Sequence, residues 1–437
     1  MWGDPPRHMK KLVRPARIVP DLSALPTQMF DTALILPSHK EMNLWSMPKG
    51  GRDVRIDWLR GFAMVCVIVD HSKRSSLLSL FSYQRFWVVT AAEVFVVLSG
   101  IVLGTVYGAR LVRYGTMSVV RRLLRRALIL YLAFIAVTMS ILALALAGVD
   151  VSAVSAWDPT AINWFLDPRT MTAHDWVTLL TLRYGPWPFE IVGLYVWLVI
   201  VAVPCLIALG AVGWRPLVAV SWAVYLWYRL SPQQLTAAEF EAVFPILAWQ
   251  LLFVHGIVIG YCRDKIGAMV ARVPKAVPVA TVAACAVFMG FALSNPAVDG
   301  PAWLRWRLVS PQAFSTLYEN YFSLSDLGIG RILNLAVALP TGYALLAWRR
   351  LRFLTGPLQA LLVTLGRGSL GAFVLHVYGL LLLAYLPQSD QLWINTLVQV
   401  LLIVSIAGLL KAQQLILATT PPRSPLHVVE WAPSPIA

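Results

Sequence analysis

The run IVGLYVWLVIVAVPCLIALGAVG, residues 191–213, contains no charged side chain. A helix needs about 20 such apolar residues to cross the hydrocarbon of a bilayer. Working outward, comparable runs recur near 56–72, 86–107, 127–149, 216–229, 244–262, 276–293, 332–348, 369–386 and 392–410. Together they predict an all-α protein: a polytopic transmembrane helical bundle with about ten spanning helices. The segments 56–72, which is polar, and 216–229, which is short, rest on the weakest patterns. Composition agrees, since 58% of the 437 residues are hydrophobic and 13% charged. A soluble domain carries roughly a quarter charged residues, so a soluble fold is excluded.

The formal net charge of +15 would point to nucleic acid in a soluble chain. Here Lys and Arg gather in the short segments between apolar runs, the pattern that orients helices in a membrane. The lipid bilayer is therefore the expected partner and nucleic acid is not. With a cytoplasmic N-terminus, 26 of the 36 Lys/Arg fall on the inner side, in the tail, 108–126, 214–215, 263–275, 349–368 and the C-terminus, and nine fall outside. Both termini are accordingly expected in the cytoplasm. The chain divides into a Pro- and Lys/Arg-rich tail at 1–50, expected to be disordered, a transmembrane domain at 51–412 and a C-terminal tail at 413–437. No cleavable signal peptide is visible, and a chain begun at Met47 is expected to insert and act. Cys66, Cys205, Cys262 and Cys285 lie in or at the end of apolar runs, with no CxxC or Cys/His spacing for a metal, and read as small core residues. The outer loops 150–190 and 294–331 carry Trp157, Trp164, Trp176, Trp187, Trp303, Trp306 and Tyr321. These rings suit either stacking on sugars or an interfacial aromatic belt.

Ionisable groups inside a spanning helix are costly and mark cavities or pairs. The first helix holds Asp57, Arg60, Asp70 and His71. Arg60 and His71 are eleven positions apart, which places them about 20° from each other around the helix and ~16 Å apart along it. Asp57 falls within about 60° of both, whereas Asp70 points roughly 100° away from His71, toward a neighbouring helix. The second helix has one charge, Glu93, on the face of Gly100, Gly104 and Tyr107; such a face reads as a close-packing seam. The loop after it carries Arg110, Arg113, Arg121, Arg122, Arg125 and Arg126. Guanidinium forks at i,i+4 spacing can clamp phosphates, or the cluster simply sets topology.

At these residues a resemblance emerges. Arg55-Ile-Asp-Trp-Leu-Arg-Gly-Phe followed by Asp70-His71 resembles the opening helix of the acyltransferase 3 superfamily, whose hallmark is Arg, ten residues, then His: here Arg60 and His71. AAEVFVVLSG (91–100), the Arg-rich loop, FEIVGLY (189–195), FPILAWQLLFVHG (244–256) and LGRGSLGAFVLH (365–376) look more specifically like the OpgC branch, which succinylates osmoregulated periplasmic glucans. The resemblance covers about residues 50–410. The tail before Met47 resembles nothing in that branch, and Arg367-Gly368 stands where Arg-Asn is usual.

The resemblance implies a multi-pass enzyme of the bacterial inner membrane. It would move an acyl group from cytoplasmic acyl-CoA, succinyl-CoA or acetyl-CoA, to a hydroxyl of a periplasmic glucan, with no tightly bound cofactor and no metal. His71 is the expected general base, since imidazole titrates near neutral pH, with Glu93 and Asp70 completing the catalytic set. Arg60, fixed by Asp57, and Arg122, Arg125 and Arg126 are expected to hold the CoA. Glu190, His255, Arg367 and His376 form a second tier facing substrate, although a lone His255 or His376 equally reads as a satisfied core histidine. Direct attack and a route through an acylated His71 both stand, and a homo-oligomer is compatible. The competing class is a secondary transporter or flippase, because buried Asp, Glu and His also build proton relays; the internal repeats common in transporters are not evident.

Overall fold

The computed structural model describes residues 52–82, 86–155, 169–274, 276–296, 307–346 and 356–419. The tail through residue 51, the loop tryptophans Trp157, Trp164, Trp303 and Trp306, and the chain beyond 419 lie outside the described residues. Among the described residues every regular element is helical, as expected. In chain order they include α1 Val54–His71, α2 Ala91–Leu146, α3 Glu190–Ala211, α4 Trp214–Leu230, α5 Ile246–Tyr261 and α6 Arg263–Val270. These are followed by α7 Ala276–Leu293, α8 Ile329–Leu345, α9 Pro357–Arg367, α10 Ser369–Ala384 and α11 Leu392–Thr419.

Four of the described helical segments, α2, the Trp187–Ala211 run that contains α3, α7 and α11, are by themselves long and apolar enough to cross a membrane. The number rises to six if α5 with α6, bent by 81°, and α9 with α10, bent by 96°, each count as one span. Helix α1 carries Arg55, Asp57, Arg60 and Asp70, and α4 has 17 residues; they fall outside that set for the polarity and shortness already visible in their sequences.

The structure departs from the sequence reading in three places. The runs 86–107 and 127–149 fall in two helices that meet at a kink at Gly115, but the Arg-rich stretch between them is helical rather than a loop. They belong to α2, whose 56 residues would reach about 84 Å if straight, far beyond one ~30 Å crossing. Its one break is Gly115, at φ 74°, a conformation that glycine adopts without Cβ strain. The stretch is helical because its apolar residues keep helical spacing: Val119, Leu123 and Ala127 are buried while Arg121, Arg122 and Arg125 are exposed. The expected inner loop 349–368 contains α9. The segments expected as outer loops also hold helices, Ala173–Leu180, opened by a Thr172/Asp175 capping box, and Pro311–Tyr321.

Two close backbone contacts position the rest. Gly100 and Gly104 on α2 meet Gly256 and Gly260 on α5. A Cβ at Gly100 would stand 2.4 Å from the Phe253 carbonyl oxygen, and one at Gly260 would stand 2.1 Å from that of Ile101. The expected small-residue seam thus exists and has a matching seam opposite. Helix α9 packs as tightly on α1, with a Cβ at Gly61 falling 1.8 Å from the Leu362 carbonyl oxygen and one at Gly366 falling 1.8 Å from that of Asp57. Gly368, at the bend between α9 and α10, has φ −95° and ψ 28°, open to any residue, so the departure from Arg-Asn asks nothing special of the backbone.

Candidate active site

Helix α1 starts because Asp53 caps it, its carboxylate accepting from the Arg55 backbone N–H at 3.0 Å. It ends at His71, and the turn beyond is fastened from α10 and α11. Gln399 donates to Ser72 Oγ at 2.7 Å and to the Arg74 carbonyl at 3.1 Å, and accepts from Ser76 Oγ at 2.6 Å. The Arg74 guanidinium caps the far end of α10 through the carbonyls of Leu383, Leu386 and Pro387. His71 is therefore held at a fixed place on a short leash, half-buried, in the last turn of α1 rather than deep within it.

There it meets two aromatic neighbours. Its Nδ1 lies 3.2 Å from His376 Nε2 on α10, and its ring packs against Trp187 with centroids 4.7 Å apart. His376 is fully buried, with Nδ1 2.6 Å from the Phe373 carbonyl oxygen. Lys73 Nζ stands 5.0 Å from the Trp187 ring, close enough to add positive charge to this end of the site. Glu190 opens α3 just after Trp187, within electrostatic range of Glu239. Glu239 belongs to the connection before α5; burial raises its carboxyl to about 7, against the opposing pull of a hydrogen bond from the Gly185 backbone.

About 16 Å down α1, Arg60 Nη2 donates to Ser369 Oγ at 2.5 Å, while its buried Nε has no partner among the described residues. Tyr195, Arg126, Asp57 and Arg52 lie in its electrostatic range, and Tyr195 Oη is 3.5 Å from Ser99 Oγ. Helix α10 thus supplies a partner to each end of the α1 stripe, Ser369 to Arg60 and His376 to His71. Arg126 is half-buried and lies within electrostatic range of Arg60; Arg122 and Arg125 are exposed.

Several expected partnerships are redistributed. Asp57 does not hold Arg60. Its buried carboxylate accepts from Arg52 at 2.6 and 2.9 Å and from Arg367 Nε at 3.3 Å, because the α9 backbone contact brings Arg367 across from Asp57. Glu93 does not orient His71: one oxygen closes the Thr90 capping box and the other accepts from Arg331 Nε at 2.6 Å. Asp70 bonds the side chain of Ser82, in the connection that follows α1 rather than on a neighbouring helix. His255 is engaged at both nitrogens, by Trp222 Nε1 at 3.1 Å and by the Leu251 carbonyl at 2.7 Å, in a place separate from His71. Trp187 was expected only as one of several outer-loop aromatics, and of the four site residues Trp187, Tyr195, Ser99 and Ser369 sequence reasoning missed the last three. These three lie inside the segments quoted for the resemblance, 91–100, 189–195 and 365–376, which is the signal that could have found them.

Search of the curated proteins and of the solved structures returns no match for this chain. The family described as OpgC protein matches residues 52–415, a span that takes in both ends of the α1 stripe and every helix described above except the last residues of α11. The chain belongs to the OpgC family.

Proposed function

We propose that the protein is a membrane O-acyltransferase that moves an acyl group, succinyl foremost, from cytoplasmic acyl-CoA to hydroxyls of a periplasmic glucan in the bacterial inner membrane. Both termini lie in the cytoplasm in this reading, with about ten crossings, two of them supplied by α2 on either side of Gly115. One observation carries the reading: a single helix presents a guanidinium with an unpartnered buried Nε and, about 16 Å further along, an imidazole backed by a second histidine.

That separation assigns the two ends different tasks. No one carbonyl can touch both Arg60 and His71, but the extended arm of an acyl-CoA can reach from one to the other. Arg60 and Arg126 repel each other, and an anionic group of the donor between them relieves the repulsion. At the other end a ring nitrogen of His71 takes the proton from the attacking hydroxyl. The new C–O bond forms as the thioester C–S bond breaks, and the proton passes to the departing thiolate, releasing CoA-SH and the glucan ester. Packing by Trp187 and the half-buried setting of His71 favour the reaction by limiting water as a rival nucleophile.

The test compares periplasmic glucans by mass spectrometry from cells carrying the wild-type gene, no gene, or His71→Ala. A mass increment of one succinyl or acetyl group per site is expected with the wild type alone. Unmodified glucan in all three strains, with the protein present in the membrane, overturns the reading.

A further inference from the structure

The hydrogen bonds around His376 impose a direction. The Phe373 carbonyl oxygen can only accept, so His376 Nδ1, 2.6 Å from it, carries the proton. A neutral imidazole has one N–H, and His376 is fully buried, where an unpaired charge is costly. Its Nε2 is then a lone pair, which must accept from its neighbour 3.2 Å away, His71 Nδ1. That assignment places the His71 proton on Nδ1 and leaves Nε2 as its basic nitrogen. Protonating His71 at Nε2 keeps the Nδ1–H bond to His376 intact, so the same partner serves both charge states.

We propose that His376 is a positioning residue that holds His71 in the tautomer and ring orientation whose Nε2 acts as the base. The assignment rests on the acyltransferase reading above. It departs from treating His376 as a contact to substrate or as a spare base, since its two ring nitrogens are both committed within the protein. Beside the pair, Trp187 restrains the His71 ring, with centroids 4.7 Å apart.

Two amides at 376 separate this role from simple core filling. Glutamine places its carboxamide oxygen near the His376 Nε2 position and can still accept from His71. Asparagine is shorter, reaching the Nδ1 position and the Phe373 carbonyl but not His71. Full-length His376→Gln, His376→Asn and His71→Ala are assayed in proteoliposomes with radiolabelled succinyl-CoA and acetyl-CoA and purified periplasmic glucan. His376→Gln is expected to keep kcat within about tenfold of wild type, and His376→Asn to lose about a hundredfold in kcat, the scale of general-base catalysis, with the KM for donor unchanged in both. Equal kcat in the two amide variants, or a loss appearing in KM, overturns the positioning role while His71→Ala remains inactive. Full transfer by His71→Ala overturns the acyltransferase assignment of the base, and the positioning role with it.

Discussion

Glu93 and Arg331 form an ion pair in which the two side chains are 1% and 2% exposed, with Nη2 2.5 Å from Oε1. The pair joins the start of α2 to the start of α8. It is neutralised within the protein, and a second donor, Thr90, takes the other carboxylate oxygen. Removing one partner leaves a buried charge, which costs about 3–5 kcal/mol, whereas replacing both by apolar groups is often neutral. Glu93→Ala is thus expected to lower the thermal midpoint of the detergent-solubilised protein sharply, and Glu93→Leu with Arg331→Met to recover much of it. Retained stability in Glu93→Ala with lost turnover would return Glu93 to the catalytic set.

The arginines of α2 are not equivalent. Arg126 is half-buried within electrostatic range of Arg60, while Arg125 is exposed. Charge-assisted hydrogen bonds contribute about 1.5–3 kcal/mol, so Arg126→Ala should raise the KM for acyl-CoA about tenfold or more, leaving that for glucan unchanged. Arg125→Ala should have a much smaller effect. Steady-state kinetics in proteoliposomes distinguish the two, and equal effects on both substrates would reduce the cluster to a topology signal.

The α2/α5 seam tolerates no side chain. At Gly256 a Cβ would sit 2.4 Å from the Val97 carbonyl oxygen, a backbone atom that cannot swing away. Gly256→Val should destabilise the protein by at least the 1–3 kcal/mol typical of overpacking, read as reduced yield of folded protein and a lower thermal midpoint. Gly408→Ala, where a Cβ meets nothing within 4 Å, serves as the control and should behave as wild type.

Stability should also depend on pH through Glu239. Burial lifts its carboxyl from 4.5 to about 7 in the folded protein. The folded state therefore holds its proton more tightly than the unfolded state, and stability falls as pH rises from about 4.5 to 7, levelling above. Glu239→Gln should flatten that part of the profile, measured as thermal midpoint against pH; an unchanged slope would show that another group carries it.

By itself the sequence determined the helical class, the apolar lengths, the α1 stripe and the glycine face of α2, because all of these follow from period and composition within one helix. Arg60 and His71 could be placed on one face from the 3.6-residue turn alone. Helix boundaries were less legible: α2 continues through the arginines because amphipathic spacing keeps a helix going, and a single Gly115 marks the break where a loop was expected. The partners were decided only by tertiary structure. Asp57 pairs with Arg367, Glu93 with Arg331, Arg60 with Ser369 and His71 with His376, and each pair joins residues hundreds of positions apart. Periodicity says which face a side chain occupies, but which charge stands opposite depends on how closely two backbones approach. For Asp57 and Arg367 that closeness was set by Gly61 against Leu362 and Gly366 against Asp57, contacts with backbone atoms that every residue has and no sequence pattern distinguishes.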